Sequence, residues 1–229
     1  MEQLEQNPLP RAKACLQQCL LLLSDKKTKK TKRQELMFLS GNLSMSYICL
    51  EEENYPKALE YAVLVLDGTK NHSALSTFDS SNSSDVLLES TVKRQMATAR
   101  MYAAEASCAM GDVAQSMKYL LGNNENNDAI DKLASDLAGL TVEVASNHPM
   151  GKARLAKAQA MVRCNASAVT AKLNHLAVAK QLAMSAQAME GAYLSTAQTE
   201  ESFARRVLLY YMLREGNSTS ALTLLRSFR

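Results

Sequence analysis

Apolar residues recur along this chain at helical spacing. Between Gln34 and Leu50, the residues Leu36, Leu39, Leu43, Tyr47 and Leu50 fall at i, i+3, i+7, i+11 and i+14, one stripe of a 3.6-residue helix. A polar turn, Glu51 to Asn54, follows, and a second stripe is made by Ala58, Leu59, Ala62, Val63 and Leu66. Pro56 stands in the first turn of that second helix, where its missing N–H has no intrahelical role. Two amphipathic helices joined by so short a turn lie antiparallel. The pattern returns with Met96, Ala99, Tyr102, Ala103 and Ala106, a turn at Met110-Gly111-Asp112, and then Val113, Met117, Leu120 and Leu121. A further helix is expected over 129–145, on Leu133, Leu137, Leu140 and Val144. After Pro149, the stripe Leu155, Ala158, Val162 leads through a polar turn expected near Asn165 into Val169, Leu173 and Leu176. Phe203, Val207, Tyr210 and Tyr211 mark another helix, Glu215-Gly216-Asn217 turns the chain, and Ala221, Leu224, Leu225 and Phe228 close it.

Two stretches break the period. Residues 1–33 hold a leading helix over 9–23 and the run SDKKTKKTKR, which reads as a solvated basic linker. Residues 67–92 are rich in Ser, Asp and Asn without a sustained period, and read as a flexible loop. The expected organisation is therefore leader and linker (1–33), a repeat-like helix pair (34–66), a Ser-rich loop (67–92), and further helix pairs forming one continuous solenoid (93–229).

The turns resemble one another. Glu53-Asn54-Tyr55-x-x-Ala58, Gly111-Asp112-Val113-x-x-Ser116 and Gly216-Asn217-Ser218-x-x-Ala221 share one spacing. Glycine ends the first helix in a left-handed conformation, Asp or Asn caps the second, and the small residue three positions into it lets the helices approach. That is the turn of a tetratricopeptide repeat, about 34 residues long. The repeat-defining positions are Asn54, Tyr55, Ala58, Tyr102, Gly111, Asp112, Gly216, Asn217 and Ala221. The copies are degenerate, with Ser46 and Ala104 at the usual glycine of the first helix, and the fold expected is an all-α, divergent tetratricopeptide-like solenoid.

Three segments carry a family resemblance: 33–66, 99–124 and 200–228, the most specific elements being Met101-Tyr102-Ala103-Ala104-Glu105-Ala106 and the run from Glu215 to Leu222. The chain resembles the C-terminal tetratricopeptide region of the tenth-subunit family of the CCR–NOT mRNA deadenylase complex. Members of that family carry more repeats upstream, so the resemblance implies a piece of a longer protein. It also implies a non-catalytic scaffold subunit that pairs with the eleventh subunit and docks on the N-terminal region of the large scaffold subunit. On that reading the protein supports poly(A) shortening, mRNA decay and translational repression, in the cytoplasm and also in the nucleus.

Composition narrows the chemistry. The 229 residues include 47% hydrophobic and 21% charged residues, only 8 Gly and 4 Pro, and no Trp, as suits a helical globular chain. No apolar run reaches the roughly 18 residues of a membrane span, and Met1 to Arg11 lacks a signal-peptide pattern. The five cysteines, at 15, 19, 49, 108 and 164, form no CxxC pair and read as reduced thiols. Cys15 and Cys19 stand one turn apart without a second half-site. Neither His72, His148 nor His175, the last expected within a helix, has metal-ligand spacing. No catalytic motif, cofactor site, metal site or small-molecule substrate is expected. Glu105 is expected on the outer face of its helix. Tyr210 and Tyr211 are adjacent, so one belongs to the core and the other is a candidate contact residue. Two rivals remain. One is an RNA-binding module using the basic 26–33 run, disfavoured because no aromatics interleave it. The other is a generic peptide-binding co-chaperone repeat with a Lys/Arg clamp, for which Arg100 and Arg205 are the candidates.

Overall fold

A computed structural model describes residues 9–24, 31–71, 83–122, 127–139, 149–193 and 202–226. All regular structure among the described residues is α-helical, so the fold is all-α. The chain divides into two compact units, Met1–Met110 and Gly111–Arg229.

The first unit holds α1 (Leu9–Leu23), α2 (Lys32–Glu51), α3 (Tyr55–Asn71) and α4 (Ser83–Ala109). Thr31 opens α2 with a capping box: its hydroxyl accepts from the Gln34 N–H, and the Gln34 side chain accepts from the Thr31 N–H. Helix α2 packs on α1, α3 and α4, and α3 also packs on α4. One core cluster is Leu39, Val65, Val92 and Ala99, bordered by Leu36, Leu43, Leu66 and Met96; a second is Cys49, Ala58 and Ala106, bordered by Tyr55 and Leu59. The buried side of α2 is turned from the expected leucine stripe. Leu39, Asn42, Met45, Ser46, Ile48 and Cys49 are buried, while Tyr47 is exposed. The cause is close backbone approach: the Ser46 hydroxyl donates to the Ala58 carbonyl at 2.8 Å, which only a small residue allows. At Gly41, a Cβ would come within 2.9 Å of Leu20 Cδ2, so a larger residue there would make the Leu20 side chain on α1 shift.

Part of the expected Ser-rich loop is helical. Helix α3 runs to Asn71 and α4 begins at Ser83, so 67–71 and 83–92 are helical, and only 72–82 lies outside the described residues. Burial of Val92 in the first core outweighs the weak helix propensity of the Ser and Asp residues around it. In the basic run, 25–30 lies outside the described residues, and Lys32 and Arg33 open α2.

The second unit holds α5 (Val113–Leu121), α6 (Asn127–Ala138), α7 (Pro149–Lys172), α8 (Leu176–Tyr193), α9 (Phe203–Arg214) and α10 (Ser218–Arg226). Each helix packs on the next or the next but one: α5 on α6 and α7, α6 on α7, α7 on α8 and α9, α8 on α9, and α9 on α10. The interiors are small-residue seams. One is Ala160, Cys164, Ala186 and Ala204; another is Ala171, Ala179, Ala183, Leu208 and Tyr211. The turn expected near Asn165 is absent, because α7 continues through it to Lys172. Cys164, Ala166 and Ser167 on either side are buried, and that burial overrides the modest cost of an asparagine inside a helix. The turn lies at Leu173-Asn174-His175, so His175 is an exposed turn residue rather than a helical one. The helix expected over 129–145 ends at Ala138, followed by Gly139 at φ 65. Leu140, Val144, His72 and His148 lie outside the described residues.

Three helix-to-helix turns close in one way. Glu53 (φ 57), Asn174 (φ 63) and Gly216 (φ 73) are left-handed. In each, the next residue's N–H bonds the carbonyl five positions back: Asn54 to Cys49 at 2.8 Å, His175 to Thr170 at 3.2 Å, and Asn217 to Met212 at 2.9 Å. The left-handed residue itself bonds three positions back, to Leu50, Ala171 and Leu213. Ser167 repeats the Ser46 contact, its hydroxyl donating to the Ala179 carbonyl at 2.6 Å, again twelve positions on. Gly111 is left-handed too, at φ 88.

Candidate functional site

Of the nine repeat-defining residues, Asn54, Gly111, Asp112, Gly216 and Asn217 lie in the turns, Tyr55, Ala58 and Ala221 in the first turns of the helices that follow, and Tyr102 within α4; they do not converge on one site. Asp112 caps α5 by accepting from the Gln115 N–H at 3.0 Å, and Asn217 accepts from the Ser220 N–H at 3.1 Å. Asn54 makes a longer contact of 3.5 Å with the Lys57 N–H. Ala58 and Ala221 are buried, Tyr55 packs on the Cys49 cluster, and Tyr102 meets Tyr47 at a ring-centroid distance of 6.0 Å. These are architectural roles. The turn at 173–175 belongs with them and sequence reasoning missed it, because Asn174 stands where Gly stands elsewhere and His175 where Asn or Asp does.

A surface cleft lies in the second unit. An open groove of about 350 Å³ runs between α7 and α9, lined by Ala168, Ala171, Lys172, Arg206, Val207, Tyr210, Tyr211 and Arg214. Its walls are parallel helices. The Ser202 hydroxyl, at the start of α9, donates to the carboxylate of Glu190 near the end of α8, and Lys180 near the start of α8 pairs with Glu215 at the end of α9. Helix α9 is thus antiparallel to α8, which the short turn at 173–175 sets antiparallel to α7.

One polar knot fixes the spacing of the walls. Tyr211 is 3% exposed. Its hydroxyl donates to the Ser167 carbonyl at 3.0 Å and lies 2.9 Å from the Ser167 hydroxyl, which itself donates to Ala179 on α8. Three helices meet at two side chains. Burial raises the Tyr211 pKa, opposed by its bond to Ser167. Tyr210, adjacent in sequence, is 55% exposed; its ring stands edge-on to Tyr211 with centroids 5.5 Å apart. The expected split, one tyrosine in the core and one outside, is realised. Of the two arginines proposed for a clamp, Arg205 is not among the lining residues; Arg206 takes that place, with Arg214 two turns further on. Lys172 and Arg214 sit in the last turns of their helices, where the negative end of the helix dipole favours cations.

The corresponding face of the first unit has another character. Tyr47 is held by a hydrogen bond to Glu51, which raises its pKa. Glu105 is exposed, on the outer face as expected; partial desolvation, and then the charge of Glu51, raise its carboxyl above the ordinary value. Tyr102 is raised chiefly by burial.

Among the described residues, no group of three or more His, Cys, Asp or Glu side chains is placed to hold a metal ion, and no helix is long and apolar enough to cross a membrane. Cys15 and Cys19 are exposed, and Cys49 and Cys164 are buried. Burial, with the charge of Glu190, pushes the Cys164 thiol up to about 12, so it is no nucleophile. No family model, curated protein or solved structure matches the chain.

Proposed function

We propose that this protein is a non-catalytic, protein-binding assembly subunit of tetratricopeptide-like solenoid architecture, acting in the CCR–NOT deadenylase through the eleventh subunit and the N-terminal region of the large scaffold subunit. The observation that carries the protein-binding reading is the repeated hairpin closure: the same left-handed turn and the same small-residue contact recur at 46–58 and 167–179. Helix pairs stacked on their neighbours bury one another's sides and leave continuous grooves for partner segments. The choice of complex rests on the sequence resemblance alone. The groove between α7 and α9, open and lined by arginine and tyrosine, has the side chains that dominate protein interfaces.

Co-expression of the chain with the eleventh subunit and the scaffold's N-terminal region tests the assignment. A stoichiometric complex surviving size exclusion in high salt is the expected result. A folded chain that co-elutes with neither partner refutes the choice of complex.

A further inference from the structure

Helix α1 carries apolar residues on two sides. Lys13, Leu16, Leu20 and Leu23 recur at i, i+3, i+7 and i+10 and are half-buried. The Lys13–Glu52 ion pair and the contact of Leu20 with Gly41 hold that side to α2. Ala12, Cys15, Cys19 and Leu22 each stand one residue earlier, about 100° round the helix, and all four are exposed. Leu22 is 82% exposed and its neighbour Leu21 73%. The two thiols are one turn apart on this stripe, their Cβ atoms about 5–6 Å from each other, and neither is in a disulfide.

Charge indicates what covers the stripe. Helix α1 contains no acidic residue, and from Leu9 to Arg33 the sequence holds eight basic residues against Asp25 alone. Six of the eight fall between Lys26 and Arg33; residues 25–30 lie outside the described residues and count here by their charge only. A second copy of the chain would bring like charge to the stripe. A membrane leaflet with anionic lipids brings the opposite charge and an apolar interior. Among the described residues no helix is long and apolar enough to cross a membrane, so the contact is with the membrane surface.

We propose that Cys15 and Cys19 are S-acylation sites, whose long-chain acyl groups act with Leu22 and the basic run to hold α1 on an anionic membrane surface. Exposed cysteines on an amphipathic helix are the usual acceptors of such groups. The Sγ thiolate attacks the carbonyl carbon of a long-chain acyl-coenzyme A. The new S–C bond forms, the bond from that carbon to the coenzyme sulfur breaks, and coenzyme A leaves with the proton the cysteine gave up. Water later cleaves the thioester to thiol and fatty acid, so the attachment is reversible. One acyl chain anchors a protein only marginally, and stable attachment takes a second chain or a polybasic segment; residues 9–33 supply both. This goes beyond the assembly reading and does not depend on it.

The test expresses the full chain in cultured cells fed alkynyl palmitate and reads label on the purified chain after azide coupling. The wild type should carry label that neutral hydroxylamine removes, as a thioester requires. Cys15→Ser combined with Cys19→Ser should abolish the label and move the chain from the membrane pellet to the soluble fraction. Both positions are exposed, so the circular dichroism spectrum should not change. Cys108→Ser should keep the label. Acylated wild type should pellet at least about fivefold more with vesicles containing phosphatidylserine than with phosphatidylcholine alone, an advantage that high salt removes. An unlabelled wild type in cells whose other acylated proteins are labelled overturns the proposal. So does equal label on the double serine variant, or label that maps to Cys108. Equal pelleting with the two kinds of vesicle overturns the anionic surface.

Discussion

The Tyr211 hydroxyl and the Ser167 hydroxyl have one hydrogen each, and both are committed. Serine donates to Ala179 and tyrosine to the Ser167 carbonyl, so the 2.9 Å contact between the two oxygens draws on a hydrogen already in use. Tyr211→Phe therefore removes one net hydrogen bond and leaves the Ser167 hydroxyl satisfied by Ala179. Its expected cost is about 1 kcal/mol in urea unfolding. Ser167→Val keeps a side chain but adds bulk where α7 and α8 touch, and should cost more than Ser167→Ala, by about 1–3 kcal/mol. A valine variant as stable as the alanine one would mean the helices are not in close contact there. The thiols offer an independent check. With its pKa raised to about 12, Cys164 is protonated at pH 8 and buried. Iodoacetamide on the native chain should label the exposed Cys15 and Cys19 first and Cys164 only after denaturation, as read by peptide mass spectrometry. The same shift sets a pH dependence. A thiol that ionises less readily folded than unfolded leaves stability level below the unfolded value of 9.0 and erodes it as pH rises from there toward about 12. Cys164→Ala should lessen that alkaline loss.

At the scale of elements, the turns decide what the sequence discloses. Asn54, Asp112 and Asn217 each follow a residue with left-handed backbone, and their shared letters made three hairpins legible. The fourth hid because the geometry asks only for a residue that tolerates positive φ, and Asn174 does so without being glycine. The buried side of α2 hid for a related reason: periodicity marks leucines, whereas a buried contact with α3 is made by Ser46, whose hydroxyl satisfies a carbonyl across the seam. Tyr210 and Tyr211 could be assigned opposite roles from adjacency alone. The groove could not, since nothing local reveals that Lys172 and Arg214 face one cleft. The turns also yield a prediction of opposite signs. Glu53 at φ 57 carries a side chain in a conformation unfavourable for L-residues by about 1–2 kcal/mol, so Glu53→Gly should raise the unfolding midpoint. Gly216→Ala, at φ 73, should lower stability by about 1 kcal/mol. If the two substitutions move the midpoint in the same direction, the shared closure is wrong at one of them.

At the scale of the whole molecule, each of the two units has its own fully buried residues. Leu39 belongs to the core of Met1–Met110 and Leu133 to the interior of Gly111–Arg229, and neither retains any exposure. Helices in each unit rest on the next helix or the next but one, so each unit's stability is a sum of nearby interfaces rather than of pairings across many elements. Within the second unit the sum is uneven: α7 is flanked by several helices, whereas α10 packs on α9 and buries Ala221 alone. Amide exchange should therefore be fastest in α10 and slowest in α7 and α8, because exchange reports the local opening free energy. Truncating a fully buried leucine to alanine costs about 2–5 kcal/mol. Leu133→Ala should speed exchange in α5, α6 and α7, and Leu39→Ala in α2, α3 and α4. Exchange that quickens uniformly along the chain in either variant would show a single cooperative body, and would overturn this picture of two cores each built from neighbouring contacts.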